Sequence, residues 1–259
     1  MGIPTELLTT RAIIKHNNFV LIPPEGRVNN SVPNLAKCNT SILCSPKLGA
    51  SFAFYTVDVL PNGGTTTPFC QEGIETFVFC ISGKGIVEVE GKKYEIGKNG
   101  YVFAPASEAV LLKNNSEEPW KLLLYKQRYR PLEGYKASVV VNNLDDVPEF
   151  DIGNVLNIKD DCAQVRDLLP SNDLGFDVNF HTLRFKVNGK HPFVETHVQE
   201  HGMYFLQGMG MYLLDDIWVP TKKDDFIWFG AYTPQGFYTV GDEEVIYIYS
   251  KDTNRDVEL

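Results

Sequence analysis

The sequence predicts an all-β protein built from two tandem barrels, and two observations carry that expectation. Short runs rich in β-branched and aromatic residues recur along the chain between Gly, Pro and Asn turns, and the first half has no convincing 3.6-residue period. The two halves also resemble each other. ISGKGIVEV at 81–89 superposes on LQGMGMYLL at 206–214, pairing Gly83 with Gly208 and Gly85 with Gly210 at an offset of 125 residues. The same offset brings YVFAPA at 101 onto FIWFGA at 226 and WKLLLYK at 120 onto VIYIYSK at 245. Upstream it slips by a residue, as small loop insertions would cause.

Taken in order, residues 1–48 carry Pro23, Pro24, Pro33 and Pro46 among short apolar runs, and read as an arm lying over the body or over a partner subunit. Residues 49–126 read as the first barrel. ASFAFYTVDVL (50–60) meets a PNGG turn, followed at short spacings by FVFCI, GIVEVEG, YEIG, YVFAPA and WKLLLY. Residues 127–173 read as a linker with one short strand, SVVV, and a helix in DDCAQVRDLL, capped by Asp160 or Asp161 and stopped by Pro170. Residues 174–259 read as the second barrel.

A chain of 259 residues is long enough for one large or two smaller cores. The net charge of -9, with no basic cluster, argues against nucleic-acid and anionic-membrane partners. Five cysteines (38, 44, 70, 80, 162) form no CxxC pair and suit reduced thiols. The first residues hold neither a long apolar core nor a cleavage signal. Gly2 is followed by Glu6 where an acylation signal needs Ser or Thr, and no run approaches a membrane span. A cytoplasmic protein is expected.

One stretch carries chemistry. Between the alternating run FDVNFHTLRFKV and the strands MYFL and MYLL lies GKHPFVETHVQEHG, in which Glu195, His197 and His201 are spaced Glu-x-His-x3-His, with Gly189 before and Gly208 after. On a loop-to-strand segment, alternation puts all three on one face pointing into a barrel. Burying a carboxylate and two imidazoles there without a partner is costly, and a divalent metal removes the cost. Cys162 and the other thiols, His181 and His191 read as structural, with His191 a distant candidate for lining an entrance.

This motif, twice over, resembles the cupin pattern, and its order resembles one bicupin group in particular. The usual first motif places two His before a Glu; here Glu195 comes first. The usual second motif supplies a third His; here FGAYTPQ offers Gln235. ETHVQEHG, GAYTPQ, the ending YIYSKDTNRDV and the proline-rich arm are together similar to the (S)-ureidoglycine aminohydrolases of allantoin breakdown, over essentially the whole chain. The resemblance implies two double-stranded β-helix (jelly-roll) barrels, a metal set of Glu195, His197, His201 and Gln235, and Mn²⁺ as cofactor. Two nitrogens and two oxygens without a thiolate suit Mn²⁺ or Fe²⁺. It also implies hydrolysis of a C–N bond with release of ammonia, and a homo-oligomer.

By the same resemblance Tyr212, Gln235, Tyr247 and Lys251 contact substrate. Lys251 and a loosely held Glu195 are candidates for the catalytic proton transfers. Lys126 aligns with Lys251, which weakens the case for a catalytic Lys251. In the first half Cys70, Glu72, Thr76 and Val110 stand opposite the four donors at offset 125, and Gln71, Gly73 and Phe77 oppose the first three at 124. Neither register makes a ligand set, so the first barrel is expected to be metal-free scaffold. Two rival readings are an Fe²⁺ cupin dioxygenase, which Gln235 in place of a His disfavours, and a non-catalytic bicupin binding a small acid.

Overall fold

The computed structural model describes residues 10–156 and 163–257. Strands β1 (Ile13–Lys15) and β2 (Phe19–Ile22) come from the arm, followed by β3 (Leu35–Cys44) and β4 (Phe52–Thr65). β5 (Ile74–Ser82), β6 (Lys84–Val89), β7 (Lys92–Gly97), β8 (Gly100–Ala104), β9 (Val110–Lys113) and β10 (Trp120–Arg128) complete the first barrel. β11 (Val140–Asn143), β12 (Phe150–Asp151), a short helix α1 (Ile152–Leu156) and β13 (Ala163–Asp167) link the halves. β14 (Asn179–Phe185), β15 (His201–Gln207), β16 (Met209–Leu214), β17 (Ile217–Lys222), β18 (Phe226–Phe229), β19 (Gln235–Val240) and β20 (Val245–Lys251) form the second. Neighbouring strands pair antiparallel, β3 on β4 and β11 through β7 in one sheet, β1 through β12 in another, with β17-β16-β19 as a third.

The repeat is built as the sequence implies. β6 and β16, β7 and β17, and the starts of β9 and β19 and of β10 and β20 are each 125 residues apart. Gly83 and Gly208 both take φ +76 in the turns β5–β6 and β15–β16, and a Cβ there would run into the backbone carbonyls of Pro119 and Glu244. Gly85 and Gly210 leave room for the rings of Trp120 and Phe237 to lie against the backbone.

Three apolar clusters explain why so many strands are continuous hydrophobic runs. Val78, Cys80, Val87, Trp120 and Leu122 fill the first barrel, while Met203, Phe205, Tyr212, Phe237 and Tyr247 fill the second. A third cluster lies between the barrels, where Phe77, Phe79, Tyr125, Phe180, Tyr204 and Trp228 point the other way from the same strands. Phe77 stacks on Phe180 at 3.7 Å between centroids, and Phe54 meets Phe226 at 5.2 Å. With both faces covered, alternation is lost.

The arm and linker are more ordered than the sequence suggested. β2 pairs with β18 and buries Phe19 and Leu21 in the second barrel, and β11 pairs with β8 of the first. Each outlying segment thus caps the same edge of one barrel. Arg11 forks onto the buried carboxylate of Asp225 at 2.6 and 2.7 Å, which fastens the arm. The helix expected before Pro170 is corrected: Ala163–Asp167 is strand β13, paired with β14 through Ala163↔Phe185 and Val165↔Leu183. Ala163 and Val165 face the core, and this tertiary pairing outweighs helical propensity. Asp160, Asp161 and Cys162, like Gly2 and Glu6, lie outside the described residues. Among the described residues no helix is long and apolar enough to cross a membrane, and Cys38, Cys44, Cys70 and Cys80 are free thiols.

Candidate metal and substrate site

The stretch from Gly189 to Glu200 is a loop that runs beside β19 and hydrogen-bonds to it. Thr239 N donates to Gly189 O, His191 N to Phe237 O, and Glu195 and Gln235 exchange both backbone hydrogen bonds at 3.0 Å. That last bridge brings together residues forty positions apart in the chain, one carboxylate and one carboxamide. His197 accepts Tyr232 N at its carbonyl, and His201 opens β15 opposite Phe229. The expected strand face for all three donors is therefore corrected. Glu195 and His197 are loop residues held by a neighbouring strand, and only His201 lies in one.

The imidazoles are set in one tautomer. His201 donates from Nδ1 to Ser250 O at 2.7 Å, and His197 from Nδ1 to Gln199 O at 2.9 Å. Each Nε2 is left as an acceptor, the form a metal takes. Burial holds both rings neutral, lowering His197 and driving His201 well below the usual histidine range. Their centroids are 4.8 Å apart. The carboxamide of Gln235 lies 2.6 Å from His197 Nε2 and accepts the Tyr212 hydroxyl at 2.7 Å. Burial raises Glu195, whose Oε1 lies 3.8 Å from His191 Nδ1. Among the described residues no three carboxylates, imidazoles and thiols converge tightly enough by themselves to chelate an ion. The close group is His197, His201 and the Gln235 amide.

Glu195, His197, His201, Tyr212, Gln235, Tyr247 and Lys251 all line one cavity of about 280 Å³. The same walls hold His181, Met203 and Tyr249, which the sequence reading did not place there, and His191, which it named as a distant candidate for an entrance. His191 Nε2 meets the Tyr247 hydroxyl at 3.2 Å, and burial takes its imidazole down to about 4, so it is a neutral partner. His181 pairs through Nδ1 with Asp167 at 2.5 Å and lies against the Tyr249 ring. The signal for His181 and Tyr249 was alternation: His181 lies on β14 directly opposite Tyr249 on β20.

The comparisons with known proteins fall on this frame. A cupin-domain family model matches residues 55–125, the first barrel. The (S)-ureidoglycine aminohydrolase of Escherichia coli (strain K12) is 44% identical over 259 residues, 100% of this chain and 97% of that protein. The chain belongs to the (S)-ureidoglycine aminohydrolase family. The family member of Arabidopsis thaliana is 25% identical over 95% of this chain and 79% of its own length. The crystal structure of protein Ylba from E. coli superposes with a TM-score of 0.86 at 43% identity, covering 100% of both chains. The fold is accordingly a bicupin.

Within this chain the halves differ sharply at equivalent places. The bridge Phe69↔Val110 stands where Glu195↔Gln235 stands, so Phe69, rather than Cys70 or Gln71, is opposite Glu195. Val87 and Leu122 occupy the places of Tyr212 and Tyr247, and all four apolar side chains are buried in the first barrel's core. Polar side chains remain at Gln71, two residues past Phe69 as His197 is past Glu195, at Thr76 for His201 and at Lys126 for Lys251.

Proposed function

We propose that Glu195, His197, His201 and Gln235 hold a divalent metal, manganese by preference, and that the cavity around them carries out the family's reaction. (S)-Ureidoglycine loses ammonia and gains water to give (S)-ureidoglycolate. The observation that carries this reading is the pair of Nδ1 hydrogen bonds that sets both imidazole Nε2 atoms as acceptors, that of His197 facing the Gln235 amide nitrogen at 2.6 Å. Either end of the Gln235 amide can be presented by rotation, so the carboxamide oxygen is available as a neutral donor. The donor set is free of sulfur and suits a hard ion.

When bound, such an ion supplies positive charge and Lewis acidity toward carboxylate and ureido oxygens. The rest falls to the protein's own groups. Lys251 offers a cation for the substrate carboxylate, and Tyr212 and Tyr247 offer hydroxyl groups that fix the ureido end. The bond from the reacting carbon to the amine breaks as that amine takes a proton. Water then adds to the same carbon and gives up a proton. Glu195, at the cavity wall, is positioned to move these protons. The enzyme is proposed to act in the cytoplasm as a homo-oligomer.

The test is metal analysis of the purified protein together with ammonia release from freshly generated ureidoglycine, with and without chelator. Chelator-sensitive acceleration over spontaneous decay is expected, and its absence sinks the proposal. His197→Ala and Glu195→Ala are expected to lose metal and activity while keeping the β-sheet circular dichroism spectrum. Full metal occupancy in either variant refutes the ligand set.

A further inference from the structure

The first barrel keeps a cavity at the place equivalent to the site, and its lining is not inert. It measures about 310 Å³, close to the other's 280 Å³, and is walled by Pro68, Phe69, Ile74, Gln71, Thr76 and Lys126. No Asp or Glu lines it. Lys126 and Thr76 are paired directly across β10 and β5, so both side chains stand on the same face, within reach of one ligand. The Lys126 ammonium sits 3.4 Å from the Phe69 ring centroid and 5.9 Å from that of Tyr55. Among the described residues this ammonium has no carboxylate partner and no hydrogen-bond acceptor, so its three N–H donors remain to be used.

We propose that the first barrel holds a second, non-catalytic site for a small organic monocarboxylate, with Lys126 as its cation and Thr76 as its hydroxyl partner. One cation without a second basic group matches a single negative charge. The apolar walls Phe69, Ile74 and Pro68 match a short carbon skeleton rather than a bare inorganic ion. The mouth carries the exposed Cys70 thiol and the exposed Asn34 and Gln71, whose carboxamides supply donors at the rim. The unpaired ammonium also costs the free protein something. Burial alone brings Lys126 down to about 8, and an anion beside it reverses that loss. The groups facing it from β4 and β5 are Tyr55, Thr76 and, from the loop, Phe69, none of which titrates near neutrality.

The test uses the intact, metal-loaded protein and glycolate as probe, followed by isothermal titration. Wild type is expected to bind glycolate at a site that Lys251→Met retains and Lys126→Met loses, while Lys126→Met releases ammonia from ureidoglycine at the wild-type rate. Affinity at that site is expected to fall about tenfold per pH unit above pH 8, as the ammonium loses its proton. Thr76→Val, nearly equal in volume, is expected to weaken binding several-fold. Glycolate is also expected to slow alkylation of Cys70 at the mouth, a readout that needs no variant and decides the matter if Lys126→Met does not fold. The proposal is overturned if Lys126→Met binds glycolate as wild type does, if all glycolate binding disappears in Lys251→Met, or if Cys70 reacts equally fast with and without the probe. Inorganic phosphate binding as tightly as glycolate overturns the assignment to a carboxylate.

Discussion

Glu200, the residue before His201, offers the sharpest test of how the barrels support the site. Its Oε2 accepts the buried indole N–H of Trp228 at 2.6 Å, and its Oε1 accepts the backbone N–H of Ser51, from the first barrel, at 2.8 Å. Glu200→Ala strands the Trp228 donor inside the protein at about 1–3 kcal/mol, removes a partly exposed charge-assisted bond, and leaves a small void, in all on the order of 4 kcal/mol. At roughly 2–4 °C per kcal/mol for a chain of this size, the midpoint should fall by about 12 °C. A second signature comes from Asp252, whose carboxyl accepts Glu200 N at 2.9 Å and is raised to about 7 by burial and then by the Glu200 charge. Above that pH the substitution relieves a repulsion; below it Asp252 is already neutral and no relief exists. The deficit of Glu200→Ala should therefore be larger at pH 6 than at pH 8. Thermal unfolding followed by circular dichroism at both pH values, at fixed metal and protein concentration, measures it. A midpoint within about 2 °C of wild type, or a deficit that grows with pH, refutes the reasoning.

Three further outcomes are expected. Asp252→Asn keeps the oxygen that accepts Glu200 N; because the wild-type carboxyl binds its proton more tightly folded than unfolded, its contribution is lost as pH rises from about 4 to about 7, and the variant should be more stable by about 4 kcal/mol above pH 7 but equal to wild type near pH 4 in denaturant titrations. Arg11→Ala leaves the fully buried Asp225 carboxylate with one backbone donor, Lys222 N, and should cost about 3 kcal/mol in the same assay. Tyr212→Phe removes the hydroxyl that orients the Gln235 amide and should weaken metal binding about 10–100-fold in a direct competition titration, with the fold unchanged.

Much of this was legible in the sequence because the signals were local or repeated. The glycine turns at 83 and 208 were visible as a fixed offset, and the donors Glu195, His197 and His201 as a short spacing. Other features depended on what lies across a sheet. The helix expected at 160–169 failed because Ala163 and Val165 find β14, a contact that no local propensity encodes. β2 and β3 were hidden within an arm full of prolines, since their partners β18 and β4 lie in different barrels. His181 and Tyr249 were missed, and His191 was placed only as a distant candidate for an entrance, for a related reason. Each reaches the cavity from a separate strand or loop, without a motif spacing, and only the register of β14 on β20 brings the first and last together.

The two barrels show how one repeated frame separates support from chemistry. At four of the site's positions the first barrel has side chains that need no polar partner: Phe69 and Val110 in place of Glu195 and Gln235, Val87 and Leu122 in place of the tyrosines. Buried donors without an ion would cost the first barrel several kcal/mol, whereas apolar packing costs nothing. That barrel in turn holds the second in shape, through the stacked face of Phe77 on Phe180 and through Ser51 on Glu200. The arm completes the frame from the other side. Asn18 accepts Gly230 N at its carbonyl and the Thr233 hydroxyl at its side chain, which braces the turn that delivers Gln235. The site's fourth donor is thus held by residues more than two hundred positions upstream, so the arm belongs to the working part of the molecule.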